Sequence, residues 1–152
     1  SDVSMRQCTG HAGTAAPWRG ALDMLRAEHD DLMVALINTP TISERVKKFH
    51  FADAQDCHAN DAETSLMLAV APDMVRPDKI AEADDPDRTI GHVFSHPVNR
   101  TSSNGVTGTP SLATLGKGAE GFAAMVQDLA ELIVRGMRET PPLAHSYLDR
   151  VA

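Results

Sequence analysis

The sequence predicts an α/β protein, a layered α/β/α sandwich, on three observations. Segments whose apolar residues recur every three or four positions alternate with short continuous apolar runs bounded by turn residues. One such run, from Asp31 to Asn38, suits a strand buried on both faces, and strands of that kind need helices on both sides of their sheet. The last long segment, from about Lys117 to Arg138, carries an apolar stripe opposite a polar one. Only three or four strand candidates occur in the 152 residues, so the sheet is expected to be incomplete in this chain alone.

A turn bearing two glycines, Cys8-Thr9-Gly10-His11-Ala12-Gly13-Thr14, leads into a helix predicted from Ala15 to His29. Trp18, Ala21, Leu22 and Leu25 fall on one face of it, and Pro17 sits where a first turn tolerates proline. After the strand comes a short amphipathic piece from Ile42 to Phe49, with Ser43 able to cap it and Val46 and Phe49 sharing a face. A stronger helix runs from Asp61 to about Val70 and is stopped by Pro72. The stretch from Pro77 to Asn104 is rich in Asp, Pro, His, Asn and Ser and reads as loops, with one strand-like patch at Thr89 to Phe94. In the final helix Phe122, Met125, Val126, Leu129, Leu132 and Ile133 form the face expected to pack on a core, and Pro141-Pro142 ends it.

Composition narrows the function classes. With 14 Lys+Arg against 21 Asp+Glu the net charge is −7, which repels a phosphate backbone and anionic membrane surfaces. Neither nucleic acid nor membrane is an expected partner. The longest apolar stretch, Leu66 to Pro72, is too short to cross a bilayer. Cys8 and Cys57 make no disulfide framework and no CxxC pair, so a reducing, cytoplasmic location is expected for a soluble single domain.

Three clusters could carry chemistry. Gly10-His11-Ala12-Gly13 holds an imidazole in a tight turn before a helix N-terminus, where small neighbours allow close approach to a metal or an anion; the two glycines could equally serve the turn alone. Asp56-Cys57-His58-Ala59-Asn60-Asp61-Ala62-Glu63 sets a His five residues before a Glu. On a continuous helix that spacing puts them about 140° apart, so they converge only if His58 lies in the loop ahead of a helix capped at Asn60 or Asp61. The same residues read as a capping box, which explains Glu63 without catalysis. Ser102 to Pro110, with two glycines and several hydroxyls, could line a pocket with backbone N–H groups or simply turn the chain.

Taken in order, the clusters resemble a known family. His58-Ala59-Asn60-Asp61-Ala62-Glu63-Thr64-Ser65-Leu66-Met67-Leu68 with Pro72-Asp73-Met74-Val75 is similar to the H-A-G-x-x-E-T-S-x-x-L … P-x-x-V signature of the creatininase (creatinine amidohydrolase) family. Gly10 to Thr14 resembles that family's N-G-H-G-G-N turn, and Gly105 to Thr114 with Lys117-Gly118 its G-V-x-G-D-P-x-x-A-T-x-E-K-G loop. The resemblance spans residues from about 8 to 138. It implies a creatininase-type sandwich and hydrolysis of a non-peptide, often cyclic, amide C–N bond at a site with one or two divalent metals, Zn²⁺ or Mn²⁺. By the same likeness His11 is a metal ligand, Glu63 a metal ligand or acid/base, and His58 the proton shuttle to the departing nitrogen. Asn104, Gly105 and Val106 are the expected substrate-pocket residues.

The departures are informative. Thr9, Ala12 and Thr14 stand where the family has Asn, Gly and Asn, Thr109 replaces an Asp, and Gly116 replaces a Glu. Gly13 occupies the place of a metal-binding Glu in creatinine-hydrolysing members, so the hydrolase class carries over and the named substrate does not. The family's G-S-x-E-Q-H-G-P-H-L-P-x-x-T-D type motif has no counterpart here, and two ligands cannot close a catalytic zinc site. The expectation is therefore the C-terminal half of a split or processed amidohydrolase, active with an N-terminal partner chain in a larger oligomer. Two alternatives stay open: a non-catalytic binding subunit, and a hydrolase using Ser1 as an N-terminal nucleophile, suggested by a chain that opens at Ser1-Asp2-Val3 without Met.

Overall fold

The computed structural model describes residues 15–145 and 147 in full and strand 3–8 by its backbone. The chain forms two compact units, residues 1–42 with 128–152, and residues 43–127. In the first unit β1 (Val3–Cys8) pairs in parallel with β2 (Met33–Asn38), Val3 opposite Met33 and Cys8 opposite Asn38. Parallel neighbours require a crossover, supplied by α1 (Ala15–Glu28), with Pro17 in its first turn. The face predicted for α1 is the one used: Trp18, Ala21, Leu22 and Leu25 line one cavity of about 330 Å³ together with Val34, Ala35 and Leu36 of β2.

Two expectations for this unit need correction. The strand read as buried on both faces is only partly covered: Ile37 alone is buried, and Ala35 and Asn38 are exposed. No residue of α1 is fully buried, Trp18 keeping 42% of its surface exposed. The reason is the narrowness of the sheet, since the two strands among the described residues offer one helix too little apolar surface to close over.

The second unit holds the chemistry. α2 (Glu44–His50) starts at Ser43, whose hydroxyl accepts the Val46 N–H at 3.2 Å, and carries Val46, 1% exposed, into the core. α3 (Asp61–Val70) starts at Asn60 and ends at Ala71 ahead of a 3₁₀ turn at Pro72–Met74. Two single-turn helices, α4 (Pro77–Ile80) and α5 (Val98–Thr101), interrupt the loop-rich stretch. A 3₁₀ turn at Pro110–Leu112 precedes α6 (Leu115–Gly136), of which the residues up to Gln127 belong to this unit. α6 begins two residues earlier than its apolar stripe suggested, because the Thr114 hydroxyl accepts the Lys117 N–H at 3.1 Å.

The strand-like patch at Thr89 to Phe94 is not a strand. Asp87 accepts both the N–H and the hydroxyl of Thr89, Gly91 lies at φ +81°, and the His92 N–H returns to the Thr89 carbonyl, which together make a turn. The apolar face of α6 is also less covered than its pattern implied. Within the helix only Gly118 and Gly121 are buried among the described residues, and Phe122 and Val126 stay about half exposed, at 48% and 52%.

What fills the interior of this unit is largely polar. Beside Val46, Ala54 and Ala62 lie buried His50, Asn60, Ser65, Asp85, Thr101 and Thr107. Such groups are tolerated when their hydrogen bonds are satisfied, so this region is held by a network more than by apolar contact. No helix among the described residues is long and apolar enough to cross a membrane.

Candidate active site

Local capping chemistry builds the turn that carries His58 and Glu63. The Asn60 side chain accepts the Glu63 N–H at 3.1 Å, while Glu63 Oε2 reaches back to accept the Ala59 N–H at 2.6 Å. This is a reciprocal box displaced by one residue, since the carboxylate takes the amide before the cap. Ala59 pays for the arrangement with a left-handed backbone at φ +50°. His58 thus lies in the loop ahead of α3, as convergence with Glu63 requires.

The loop after α5 fixes His58 from the other side. The Thr107 N–H donates to the His58 carbonyl at 2.8 Å, and the Thr107 hydroxyl donates to the Asp56 carbonyl. His58 Nδ1 lies 2.5 Å from the Gly105 carbonyl oxygen, which can only accept, so Nδ1 carries the proton and Nε2 is left for chemistry. Gly105 presents that carbonyl from φ +91°, a conformation suited to glycine.

Glu63 and Val106 line an open cavity of about 360 Å³ whose other walls include Met67, Met74, Val75 and Ile80, with the cations Arg76 and Lys79. Asn104 and Gly105, expected beside Val106 in a substrate pocket, instead shape the loop behind it. Asn104 Nδ2 donates to the Ala83 carbonyl at 2.9 Å and its Oδ1 accepts the Val106 N–H at 3.0 Å. Neither residue is among those lining this cavity.

Three buried or part-buried residues in this region are ones that sequence reasoning missed, and two of them, Asp53 and Asp85, hold it together. Asp53 accepts from Asn60 Nδ2 at 2.7 Å and from the N–H of Thr109 at 2.7 Å, joining the cap of α3 to the loop before α6. Burial pushes its carboxyl up, but the donors of Thr109, Asp61 and Asn60 outweigh that and hold it below the usual carboxylate range. Asp85, 3% exposed, pairs with Arg88 at 2.6 Å and accepts from Ser102 and Ser103; the Arg88 pair, then those donors, hold its carboxyl well below the usual range. Its bonds to Ser102 and Ser103, 17 and 18 residues on, join segments that no local pattern connects.

The third is His50, 4% exposed, with both ring nitrogens buried and without a hydrogen-bond partner among the described residues. Burial lowers its pKa, against the raising effect of the Glu63 charge, and its ring meets Phe49 edge-on. Nearby charge is also felt at Cys57, where burial and then Glu63 push the thiol up to about 11. That thiol is a weak nucleophile at neutral pH.

His11 and Ser1 lie outside the described residues. Among the described residues no three His, Cys, Asp or Glu side chains gather closely enough to hold a metal. The second oxygen of Glu63 is a donor type that suits Zn²⁺ or Mn²⁺, so the residues present fit a share of such a site.

Comparison with known proteins adds to this geometry. The chain is similar to the mycofactocin precursor peptide peptidases of Mycobacterium ulcerans (29% identical) and Mycolicibacterium smegmatis (30%), over 128 residues in each case. Those matches cover 83% of this chain but 46% and 47% of the relatives, so the chain spans about half their length. Among solved structures, creatinine amidohydrolase (creatininase) superposes with TM-score 0.69 at 23% identity, covering 90% of this chain and 56% of the other. A creatininase variant of Zn-Zn type gives 0.70 at 24%, covering 89% and 56%, and a creatininase in a Mn form gives 0.64 at 25% with the same coverage. These likenesses place the described elements in the creatininase α/β fold. The family profile of creatinine amidohydrolases matches residues 5–133, which include the His58 turn, the Gly105 loop and most of α6: the chain belongs to the creatininase family.

Proposed function

We propose that this chain is part of a metal-dependent amidohydrolase that cleaves an amide C–N bond, with His58 moving the proton and Glu63 serving at the metal. The observation that carries the reading is the held imidazole: Nδ1 is committed to the Gly105 carbonyl, which leaves the Nε2 lone pair to take a proton and pass it to a departing amine. Glu63 has one oxygen on the Ala59 amide and its second free to ligate, on the wall of the cavity. A divalent metal, when bound, supplies a water nucleophile at neutral pH and polarises the amide carbonyl. His11 is the further ligand this chain would offer, and the remaining ligands belong in this reading to an N-terminal partner chain, which also completes the sheet within a larger oligomer.

The substrate on this reading is a small, cyclic, non-peptide amide. The cavity walls of Met67, Met74, Val75 and Ile80 favour an apolar body, and flexible methionines accommodate more than one shape. A peptide amide is the second reading, favoured by relatives named as precursor peptide peptidases at 29–30% identity.

The test uses the intact protein with whatever co-purifies with it. Elemental analysis is expected to find zinc or manganese, and chelation to abolish hydrolysis of a panel of lactams, creatinine and short peptides. His58→Ala should lower turnover by about 10²- to 10⁴-fold, the span of general acid–base catalysis. Glu63→Gln keeps an oxygen for the Ala59 amide and should lose metal and turnover together. Full activity after chelation would overturn metal dependence, and unchanged turnover in both variants would leave a non-catalytic subunit as the better account.

A further inference from the structure

We infer that Ser102, anchored by Asp85, is a positioning residue that locks His58 in its Nδ1–H tautomer through the carbonyl of Gly105. The connection is a chain of hydrogen bonds within one compact unit. The Ser102 hydroxyl has two acceptors in reach, Asp85 Oδ2 at 2.9 Å and Asn104 Oδ1 at 3.3 Å, and its one proton goes to the nearer, charged carboxylate, which turns the oxygen lone pairs back toward its own loop. Those lone pairs accept the Gly105 N–H at 2.8 Å and the Asn104 N–H at 3.3 Å. Gly105 has no side chain to orient it and nothing within 4 Å of where a Cβ would stand, so its carbonyl is aimed by the peptides on either side of its α-carbon: Ser102 holds the N–H of the one before, and Asn104 Oδ1 holds the Val106 N–H of the one that carries the carbonyl, at 3.0 Å. That carbonyl receives His58 Nδ1 at 2.5 Å.

Asp85 is suited to be the fixed end. It is buried, salt-bridged to Arg88 at 2.6 Å, and held on its main chain by two bonds to Gly108, at 3.1 and 2.7 Å. Arg88 is in turn tied to the Thr101 carbonyl at 3.0 Å, next to Ser102. A charge-assisted acceptor polarises the hydroxyl it binds and strengthens the next bond along, so the chain is more directional than its separate links. An unrestrained neutral imidazole favours the opposite tautomer, with the proton on Nε2, which would leave no lone pair there to take a proton. The lock thus decides which nitrogen is available. Its catalytic meaning rests on the hydrolase reading above, but the tautomer is measured without substrate or metal, so the two fail separately.

The experiment is nitrogen NMR of the His58 ring in the intact, chelator-treated protein at a pH where the imidazole is neutral. The expected result is one tautomer, pyrrole-type at Nδ1 and pyridine-type at Nε2. In Ser102→Ala the Nε2–H form should rise from undetectable to a clearly measured fraction, and Ser102→Thr, which keeps the hydroxyl, should restore the original pattern. Ser103→Ala is the control: it removes a hydroxyl 3.0 Å from the same Asp85 oxygen but touches nothing at Gly105, so it should cost stability and leave the tautomer alone. An Nε2–H tautomer in the unmodified protein overturns the inference, and this result needs no variant to fold. So does a Ser103→Ala effect as large as that of Ser102→Ala, which would mean general loosening of the loop.

Discussion

At the scale of single residues the site is assembled from strained or unsatisfied groups, and each makes a prediction. Ala59 sits at φ +50° because the amide it presents to Glu63 is needed there. The left-handed region costs an L-residue about 1–2 kcal/mol, a penalty glycine escapes. Ala59→Gly should therefore raise stability by about 0.5–1 kcal/mol, once the greater freedom of unfolded glycine is deducted. Denaturant unfolding checks this, and a loss of stability would mean the strain is relieved elsewhere. His50 is the opposite case, a buried ring with two unmet nitrogens, and apolar replacement of an unsatisfied polar group is neutral or favourable. His50→Leu should gain about 1 kcal/mol, and a loss would reveal a partner for the ring. Of these features the sequence exposes the capping of α3 by Asn60 and Glu63 and the place of His58 in the loop ahead of it, which follow from spacing and capping rules. It hides the strain at Ala59 and the orphaned ring of His50, because both follow from where distant segments meet.

At the scale of elements, what is local was legible and what is distant was not. α3 runs over the residues its capping signals mark, since Asn60 and Pro72 act on their immediate neighbours. The segment Thr89 to Phe94 is strand-like in composition yet forms a turn, because Asp87 and Gly91 decide the backbone locally. Asp53 and Asp85 could not be picked out, because their donors at Thr109 and Ser103 lie 56 and 18 residues away. Two substitutions in the first turns of α6 separate propensity from packing. A Cβ on Gly116 would find only Thr114 Oγ1, at 4.0 Å, so Gly116→Ala should stabilise by about 0.5 kcal/mol through helix propensity. A Cβ on Gly118 would lie 1.8 Å from the Ser65 carbonyl oxygen, so Gly118→Ala should cost more than about 2 kcal/mol as α6 is forced off α3. Thermal melts of the two single variants check the opposite signs. The cap itself is worth more than usual, because Asn60 also donates to the His50 carbonyl and to Asp53. Asn60→Ala should cost about 2–3 kcal/mol, above a typical cap.

At the scale of the whole molecule these groups set a pH window for stability. His50 has its folded pKa lowered from 6.5 by burial, so below 6.5 the unfolded chain takes up a proton that the folded one refuses. Its contribution is complete above pH 6.5 and declines as pH falls from there toward the folded value. Asp53, Asp85 and Asp87 are all depressed from 3.8, so their contribution is complete above that value and is lost as pH falls through their folded pKa values. Cys57 works at the other end: its thiol is raised from 9.0 to about 11, so stability falls as pH climbs through that interval. Stability should therefore be greatest between about pH 7 and 8, falling in two separate acid stages and one alkaline stage. Unfolding free energies measured across pH test each stage with its own variant. His50→Leu should flatten the slope just below neutrality while leaving the deeper acid stage, and Cys57→Ala should flatten the alkaline one. A slope below neutrality that survives in His50→Leu would assign it to another histidine and remove His50 as its source.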